Sequence, residues 1–184
     1  MFIEEKQSKL DSARIKLLLM EYFRYKKQFF GVVSEYRHYC DEVEDFVAFK
    51  NYEIAVVEIK ISKSDFLADF KKIKHAPTYQ WWYSQFCFCV TEDLKDFVLE
   101  YLKGNGYGHY GVLIANNGNG KPYVSVARAA KRKGNKNNKI FRYGLFHSEN
   151  YCVLESIMRR MSSEMIIDKR KAITLKDSKI KTHS

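Results

Sequence analysis

The hydrophobic positions of this chain follow two periods, and together they predict a mixed α/β fold. Apolar residues recur at helical spacing over 10–25, and runs rich in β-branched residues follow over 28–38, 43–50 and 53–62. The pattern then predicts a helix over 65–75, a strand over 85–90, a helix over 92–103, strands over 110–115 and 122–127, and a helix over 149–166. Three strands thus precede the first crossover helix. This order predicts a mixed β-sheet flanked by helices and excludes a doubly wound nucleotide-binding fold.

The length of 184 residues and the apolar content of 46% fit one folded domain with a short tail. We expect the domain to span 1–167 and the polar residues 168–184 to form a frayed tail. The N-terminus lacks the apolar stretch of a signal peptide, and no apolar run is long enough to cross a membrane. We therefore expect a cytoplasmic protein without a membrane partner.

The charge is concentrated in one segment of the chain. Residues 101–148 contain nine Lys and Arg and no acid, and they account for most of the net charge of +10. A local positive field of this kind suits a polyanionic partner, although a solvated basic loop is the simpler alternative.

The strand predicted over 53–62 contains two charged residues in an otherwise apolar run. Glu58 and Lys60 share one face, and Val57, Ile59 and Ile61 share the other. The apolar run indicates that both faces are covered, and an unpaired buried charge would cost several kcal/mol. Two explanations stay open at this point: the two charges pair with each other at the strand end, or a divalent metal ion compensates the carboxylate.

The preceding predicted strand supplies a second carboxylate. A short turn over 50–52 makes the two strands hairpin neighbours, which puts Asp45 close to Glu58. Two carboxylates at one place repel each other, and a hard cation between them removes that repulsion. Two acids and a lysine are suited to metal-assisted hydrolysis of a phosphodiester. Zinc is not expected, because the histidines and cysteines lack zinc-ligand spacing.

These residues resemble a known family. Asp45, followed after twelve residues by Glu58-Ile59-Lys60, is similar to the signature of the restriction-endonuclease-like, or PD-(D/E)-x-K, nuclease superfamily. The run 57–72, VEIKISKSDFLADFKK, resembles that of the MmcB-like DNA repair proteins. The chain departs from the pattern at Glu44, where many members have proline, and at Ser84-Gln85, where relatives commonly have Cys-Asp.

The resemblance implies a restriction-endonuclease-like fold and a Mg²⁺- or Mn²⁺-dependent nuclease, acting in DNA repair or in a mobile-element or phage context. It implies that Asp45 and Glu58 hold the ion, joined by the carbonyl of Ile59 and by Glu35, and that Lys60 orients the attacking water. The basic segment 128–142 would then hold DNA by phosphate contacts. Its residues are Arg128, Lys131, Arg132, Lys133, Lys136, Lys139 and Arg142.

Several alternatives stay open from the sequence. The chain could be a non-catalytic nucleic-acid-binding protein on a nuclease-like fold, or a protein whose basic loop binds an acidic protein. Glu35 could be an exposed strand residue. The sequence also leaves open DNA against RNA as the substrate, endonuclease against exonuclease action, and a homodimer against a monomer.

Overall fold

Six strands form one mixed sheet in which neighbours in sequence are neighbours in space. The computed structural model describes residues 10–37, 43–50, 53–79, 83–118, 121–132 and 148–181. The strands are β1 (Gly31–Arg37), β2 (Val43–Lys50), β3 (Glu53–Lys60), β4 (Gln85–Thr91), β5 (Gly111–Asn116) and β6 (Tyr123–Arg128). Only the β3–β4 and β4–β5 pairs are parallel. The predicted mixed sheet with flanking helices is confirmed.

Helices cover both faces of the sheet and divide the core in two. The helices are α1 (Ser12–Glu21), α2 (Lys63–Asp69), α3 (Lys95–Gly104) and α4 (Ser148–Lys181). Ile15 of α1 and Ile166 of α4 belong to the core on one face, whereas Phe66 of α2 and Leu102 of α3 belong to the core on the other. No helix in the described part of the chain is both long and apolar enough to cross a bilayer.

The central strand β3 is covered on both sides, as its apolar run predicts. Val57 and Ile59 pack in the core beside α1, and Ile54 and Val56 pack in the core beside α2 and α3. By the two-residue period of a strand, Glu58 and Lys60 share the face of Val56. Both charged side chains are buried, which means that the structure has to compensate them.

The last helix is longer than the sequence pattern predicts. It continues to Lys181, through residues for which we expected a frayed tail. Arg170 Nε lies 2.7 Å from the Glu21 carboxylate, and Arg14 pairs with Asp177. These ion pairs to α1 give the polar end of α4 tertiary partners that an apolar pattern cannot show, so the expectation of a frayed tail over 168–181 is wrong.

Candidate active site

The two predicted acids and the predicted lysine line one polar cavity at the carboxyl end of β3. The cavity measures about 340 Å³. Its lining residues are Ser12, Val43, Asp45, Glu58, Ile59, Lys60, Ile61, Asp65 and Lys72. The structure therefore brings Asp45, Glu58, Ile59 and Lys60 together, as the sequence predicts.

Asp45 reaches the cavity because pairing between β2 and β3 stops beside it. The last paired residues are Phe46 and Val57, so Asp45 and Glu58 are the next positions in register. Beyond that pair, the Ile59 N–H donates to Asp45 Oδ2 at 2.9 Å. A side chain thus satisfies a backbone donor at the strand end and fixes the aspartate at the edge of the cavity.

Glu58 is surrounded by ammonium groups. Lys74 Nζ donates to Glu58 Oε1 at 2.8 Å, and Lys60 Nζ donates to Glu58 Oε2 at 3.0 Å. Lys72 Nζ lies 3.5 Å from the same Oε2 atom, and its side chain is 42% exposed. The pairing of Glu58 with Lys60, one of the two explanations left open by the sequence, is therefore present in the structure.

Lys74 was not predicted as a site residue, and a break in a helix explains why. The pattern predicts one helix over 65–75, but α2 ends at Asp69 and a 3₁₀ turn covers Ile73–His75. Ser62 caps the N-terminus of α2, where its side chain accepts a hydrogen bond from the Asp65 N–H. After the break, Ile73 points to solvent while Lys74 and His75 are buried. Relative to a continuous helix, the turn therefore moves Ile73 outward to solvent and moves Lys74 and His75 inward.

Lys74 connects Glu58 to another buried acid. Its Nζ also donates to Glu44 Oε2 at 2.9 Å, and both side chains are 1% exposed. Glu44 precedes Asp45 in β2, and the only sequence signal for it was its departure from the family pattern. The buried ion pairs therefore compensate the charge of Glu58 from within the chain, in line with the first of the two explanations that the sequence left open.

The pKa values of the acids diverge because their partners differ. Burial raises the pKa of Glu44 to about 7, against the opposing effect of Lys74. Burial also raises the pKa of Asp45, and the neighbouring charge of Glu58 adds to this. Burial acts on Glu58 in the same direction, but the surrounding groups, Lys74 first, outweigh it and hold the pKa of Glu58 below its ordinary value. Glu44 is thus the acid that most readily carries a proton near neutral pH.

We expect Glu44→Gln to change the pH dependence of stability in the presence of EDTA. The folded-state pKa of Glu44 lies above its unfolded value of 4.5, so its contribution is fully present below pH 4.5 and is lost as pH rises to about 7. Glutamine does not titrate. Between pH 5 and pH 8 the variant should therefore gain about 1–3 kcal/mol relative to the wild type. Urea unfolding at both pH values measures this difference. Glu35→Gln, at an exposed acid, is the control, and equal pH dependence of the wild type and Glu44→Gln would contradict the assignment.

The structure does not bring Glu35 to the cavity, so its predicted role as a ligand is not supported by its position. Its backbone φ is 57°, and pairing with β2 passes from Ser34–Phe46 directly to Tyr36–Glu44. Its carboxylate pairs with Lys16 at 2.8 Å and is 69% exposed. The left-handed conformation interrupts the side-chain alternation of β1 and leaves Glu35 in a surface ion pair.

The described part of the basic segment lies away from the cavity. Arg128 donates to the carbonyl oxygen of Tyr110 at 2.9 Å, just before β5. Arg132 pairs with Glu53 at 2.7 Å, at the opposite end of β3 from Lys60. A strand of this length spans roughly 23 Å at its ordinary rise per residue. Lys131 is exposed, and the predicted contacts Lys133, Lys136, Lys139 and Arg142 lie outside the described residues.

The donor chemistry of the cavity fits a hard divalent cation with few protein ligands. Within the described residues, no three His, Cys, Asp or Glu side chains are grouped to hold a metal ion. Mg²⁺, however, commonly takes only one or two carboxylates and keeps several waters. Asp45 and Glu58 supply those carboxylates, and only one Asp45 oxygen has a hydrogen-bond partner in the described part of the chain. An ion at Glu58 Oε2 would compete with Lys60 and with Lys72, and the exposed ammonium of Lys72 can return to solvent.

Comparison with known proteins adds information on the fold. No protein-family model matches the chain, and no curated protein matches it. Among solved structures, the chain is similar to the SPO1766 protein of unknown function from Silicibacter pomeroyi. The two share 20% sequence identity with a TM-score of 0.51, over 68% of this chain and 76% of that chain. At this identity the likeness shows the fold alone, so function has to be argued from the site.

Proposed function

We propose that this protein is a metal-dependent nuclease that hydrolyses DNA phosphodiester bonds. The observation that carries the proposal is the convergence of Asp45, Glu58 and Lys60 on one open polar cavity. The resemblance of residues 57–72 to the MmcB-like DNA repair proteins, and of the three residues to the PD-(D/E)-x-K signature, supports the same function.

Each residue of the cavity has a role in this proposal. Asp45 and Glu58, with the carbonyl of Ile59, would hold Mg²⁺ or Mn²⁺, which when bound supplies Lewis-acid chemistry at the phosphate. Glu58 and Asp69 outweigh the burial of Lys60 and raise its pKa, so this lysine is an ammonium donor rather than a base. Its N–H groups would orient the attacking water and stabilise negative charge that develops on the phosphate oxygens.

The geometry near the cavity also alters the proposed mode of DNA binding. Lys72 lines the cavity and is exposed, so it is placed to contact a phosphate beside the scissile bond. Arg132 lies at the far end of β3 and would contact the backbone several nucleotides away. Such contacts hold DNA without reading its sequence, and the binding they provide should weaken as salt rises.

Purified protein should cleave DNA when Mg²⁺ or Mn²⁺ is present and should not cleave it in EDTA. The measurement is gel analysis of plasmid, linear duplex and single-stranded DNA, with an RNA of the same sequence to identify the preferred nucleic acid. Calorimetry should also show binding of Mn²⁺ that Asp45→Asn removes. Cleavage that persists in EDTA would contradict the proposed role of the ion.

A second candidate is a non-catalytic DNA-binding protein, and one observation favours it. Lys60, Lys72 and Lys74 already compensate the acids, so this site does not require an ion for its stability. That function predicts salt-sensitive DNA binding, no cleavage with either metal, and no calorimetric signal for Mg²⁺ or Mn²⁺.

A further inference from the structure

Asp69 is a buried acid beside the candidate active site that the nuclease signature does not include. It is the last residue of α2, its side chain is 0% exposed, and it does not line the cavity. Its Oδ1 atom lies 3.0 Å from Lys60 Nζ and 2.6 Å from Lys72 Nζ. A carboxylate that is kept out of the cavity but touches two of its cations can act on the site only through those cations.

A hydrogen-bonded chain fixes the other oxygen of Asp69. His75 Nε2 lies 2.7 Å from Asp69 Oδ2, and His75 Nδ1 lies 2.9 Å from the Tyr110 hydroxyl. The imidazole itself packs among the rings of Phe70, Phe86 and Phe88. With the ring held by packing and by a hydrogen bond at each nitrogen, the carboxylate has one orientation, and that orientation turns Oδ1 to Lys60.

The ammonium group of Lys60 has to be held in place if it is to orient the attacking water. An ammonium group has three N–H donors on a flexible four-carbon chain. One donor goes to Glu58 Oε2 at 3.0 Å, and the nitrogen forms an ion pair with Asp69 Oδ1 at the same distance. Two charged partners on different elements, β3 and α2, therefore determine the position of the nitrogen at the edge of the cavity.

We propose that Asp69, oriented by His75 and Tyr110, is a positioning residue that holds the Lys60 ammonium at the edge of the cavity. The inference rests on the proposed nuclease function, because that function explains what the positioning is for. The positioning itself is a property of the folded chain. Supporting groups of this kind typically affect activity by about 10–100-fold when they are removed.

Asp69→Asn is the variant that tests the proposal, with Asp65→Asn as its matched control. Asp65 also faces Lys60, but at 3.8 Å, and its side chain is 51% exposed. We expect Asp69→Asn to lower kcat for DNA cleavage by about 10–100-fold while KM changes by less than about threefold. Because the contact of Asp65 with Lys60 is longer and exposed to water, Asp65→Asn should lower kcat much less than Asp69→Asn does.

A second measurement reads the position of Lys60 without requiring activity. In ¹H–¹⁵N spectra without metal, the buried ammonium of Lys60 should give a signal protected from exchange with water, assigned by its loss in Lys60→Arg. Asp69→Asn should remove or broaden that signal, whereas Asp65→Asn should retain it. Lys74, which is buried between Glu44 and Glu58, is the internal reference for an intact fold.

The outcomes separate this inference from the nuclease proposal. Loss of the Lys60 signal with the Lys74 signal intact supports positioning, even if the wild type cleaves no DNA and the nuclease proposal fails. An unchanged Lys60 signal in Asp69→Asn overturns the inference, whatever the activity. If Asp69→Asn loses both signals, Tyr110→Phe decides, because it removes one hydroxyl from the far end of the chain. That variant should broaden the Lys60 signal, and a spectrum identical to the wild type would overturn the inference.

Discussion

Replacing Lys74 by methionine should lower the free energy of unfolding by about 3–5 kcal/mol at pH 8, because it leaves buried carboxylates without their partner. The lysine is 1% exposed and joins Glu44 at 2.9 Å to Glu58 at 2.8 Å. Methionine keeps most of the volume and can still pack on Phe86, over which the ammonium lies. The loss therefore reports the charge rather than a cavity.

The same variant should recover stability in acid. Burial already raises the pKa of Glu44 above its unfolded value, and without Lys74 that ammonium no longer opposes the effect. Protonation of Glu44 then favours the folded state as pH falls, so the difference from the wild type should be smaller at pH 5 than at pH 8. Urea unfolding in EDTA at both pH values measures the two differences.

Lys72→Met is the matched control for this prediction. Lys72 also touches Glu58, at 3.5 Å, and Asp69, at 2.6 Å, but its side chain is 42% exposed. Water can replace its ammonium, so its loss should cost less than about 1 kcal/mol. If Lys74→Met were no more damaging than Lys72→Met, the buried network would not be the stabilising feature that the distances indicate.

The strands and the cavity acids could be predicted from the sequence because they obey local rules. β2 begins and ends at the predicted residues, and the β-branched run of β3 is covered on both faces. Pairing that begins at Lys50 and Glu53 fixes the register of these strands, which places Asp45 next to Glu58. Hairpin register and strand alternation involve only residues close in sequence, so the pattern alone was sufficient there.

The partners of those acids could not be predicted, because they depend on a break that the periodicity does not show. Phe66, Phe70 and Ile73 suggest a helix that continues to residue 75, yet Lys72 is extended, with φ −75° and ψ 146°. Ile73, which the pattern assigns to the core, is 65% exposed. Lys74 and His75 take the buried positions because Glu44, Glu58 and Asp69 are there to receive them.

The charge distribution along the chain also has a different meaning in three dimensions. From its sequence, the acid-free segment 101–148 suggested a surface that binds the phosphates of a polyanionic partner. In the described residues, Arg132 of that segment pairs with Glu53, while Lys60 and Lys72 are the cations that line the cavity. The density of basic residues along the sequence points to 128–142, whereas the cations beside Glu58 come from the end of β3 and from the residues that follow α2.

Glu58→Gln should reduce metal-dependent DNA cleavage by about 10²–10³-fold, because it removes one of the two proposed carboxylate ligands and its charge. The variant should remain folded, since each lysine near Glu58 retains another acid. Lys74 keeps Glu44 at 2.9 Å, and Lys60 and Lys72 keep Asp69 at 3.0 Å and 2.6 Å. Lys60→Met should cause a loss of similar size by removing the buried ammonium of the cavity, which Glu58 and Asp69 hold at 3.0 Å each.

Two control variants make this result specific to the proposed ligands. Asp65→Asn removes an acid from the lining of the same cavity, but from a half-exposed side chain outside the signature, and it should retain activity. Glu35→Gln should also retain activity, because Glu35 lies in a surface pair with Lys16. Initial rates of cleavage and Mn²⁺ binding by calorimetry, measured on all four variants, distinguish loss of the ion from loss of the lysine. Glu58→Gln should lose both signals, and Lys60→Met should lose cleavage while it still binds the ion. Cleavage at the wild-type rate by both Glu58→Gln and Lys60→Met would show that the chemistry lies elsewhere on the protein.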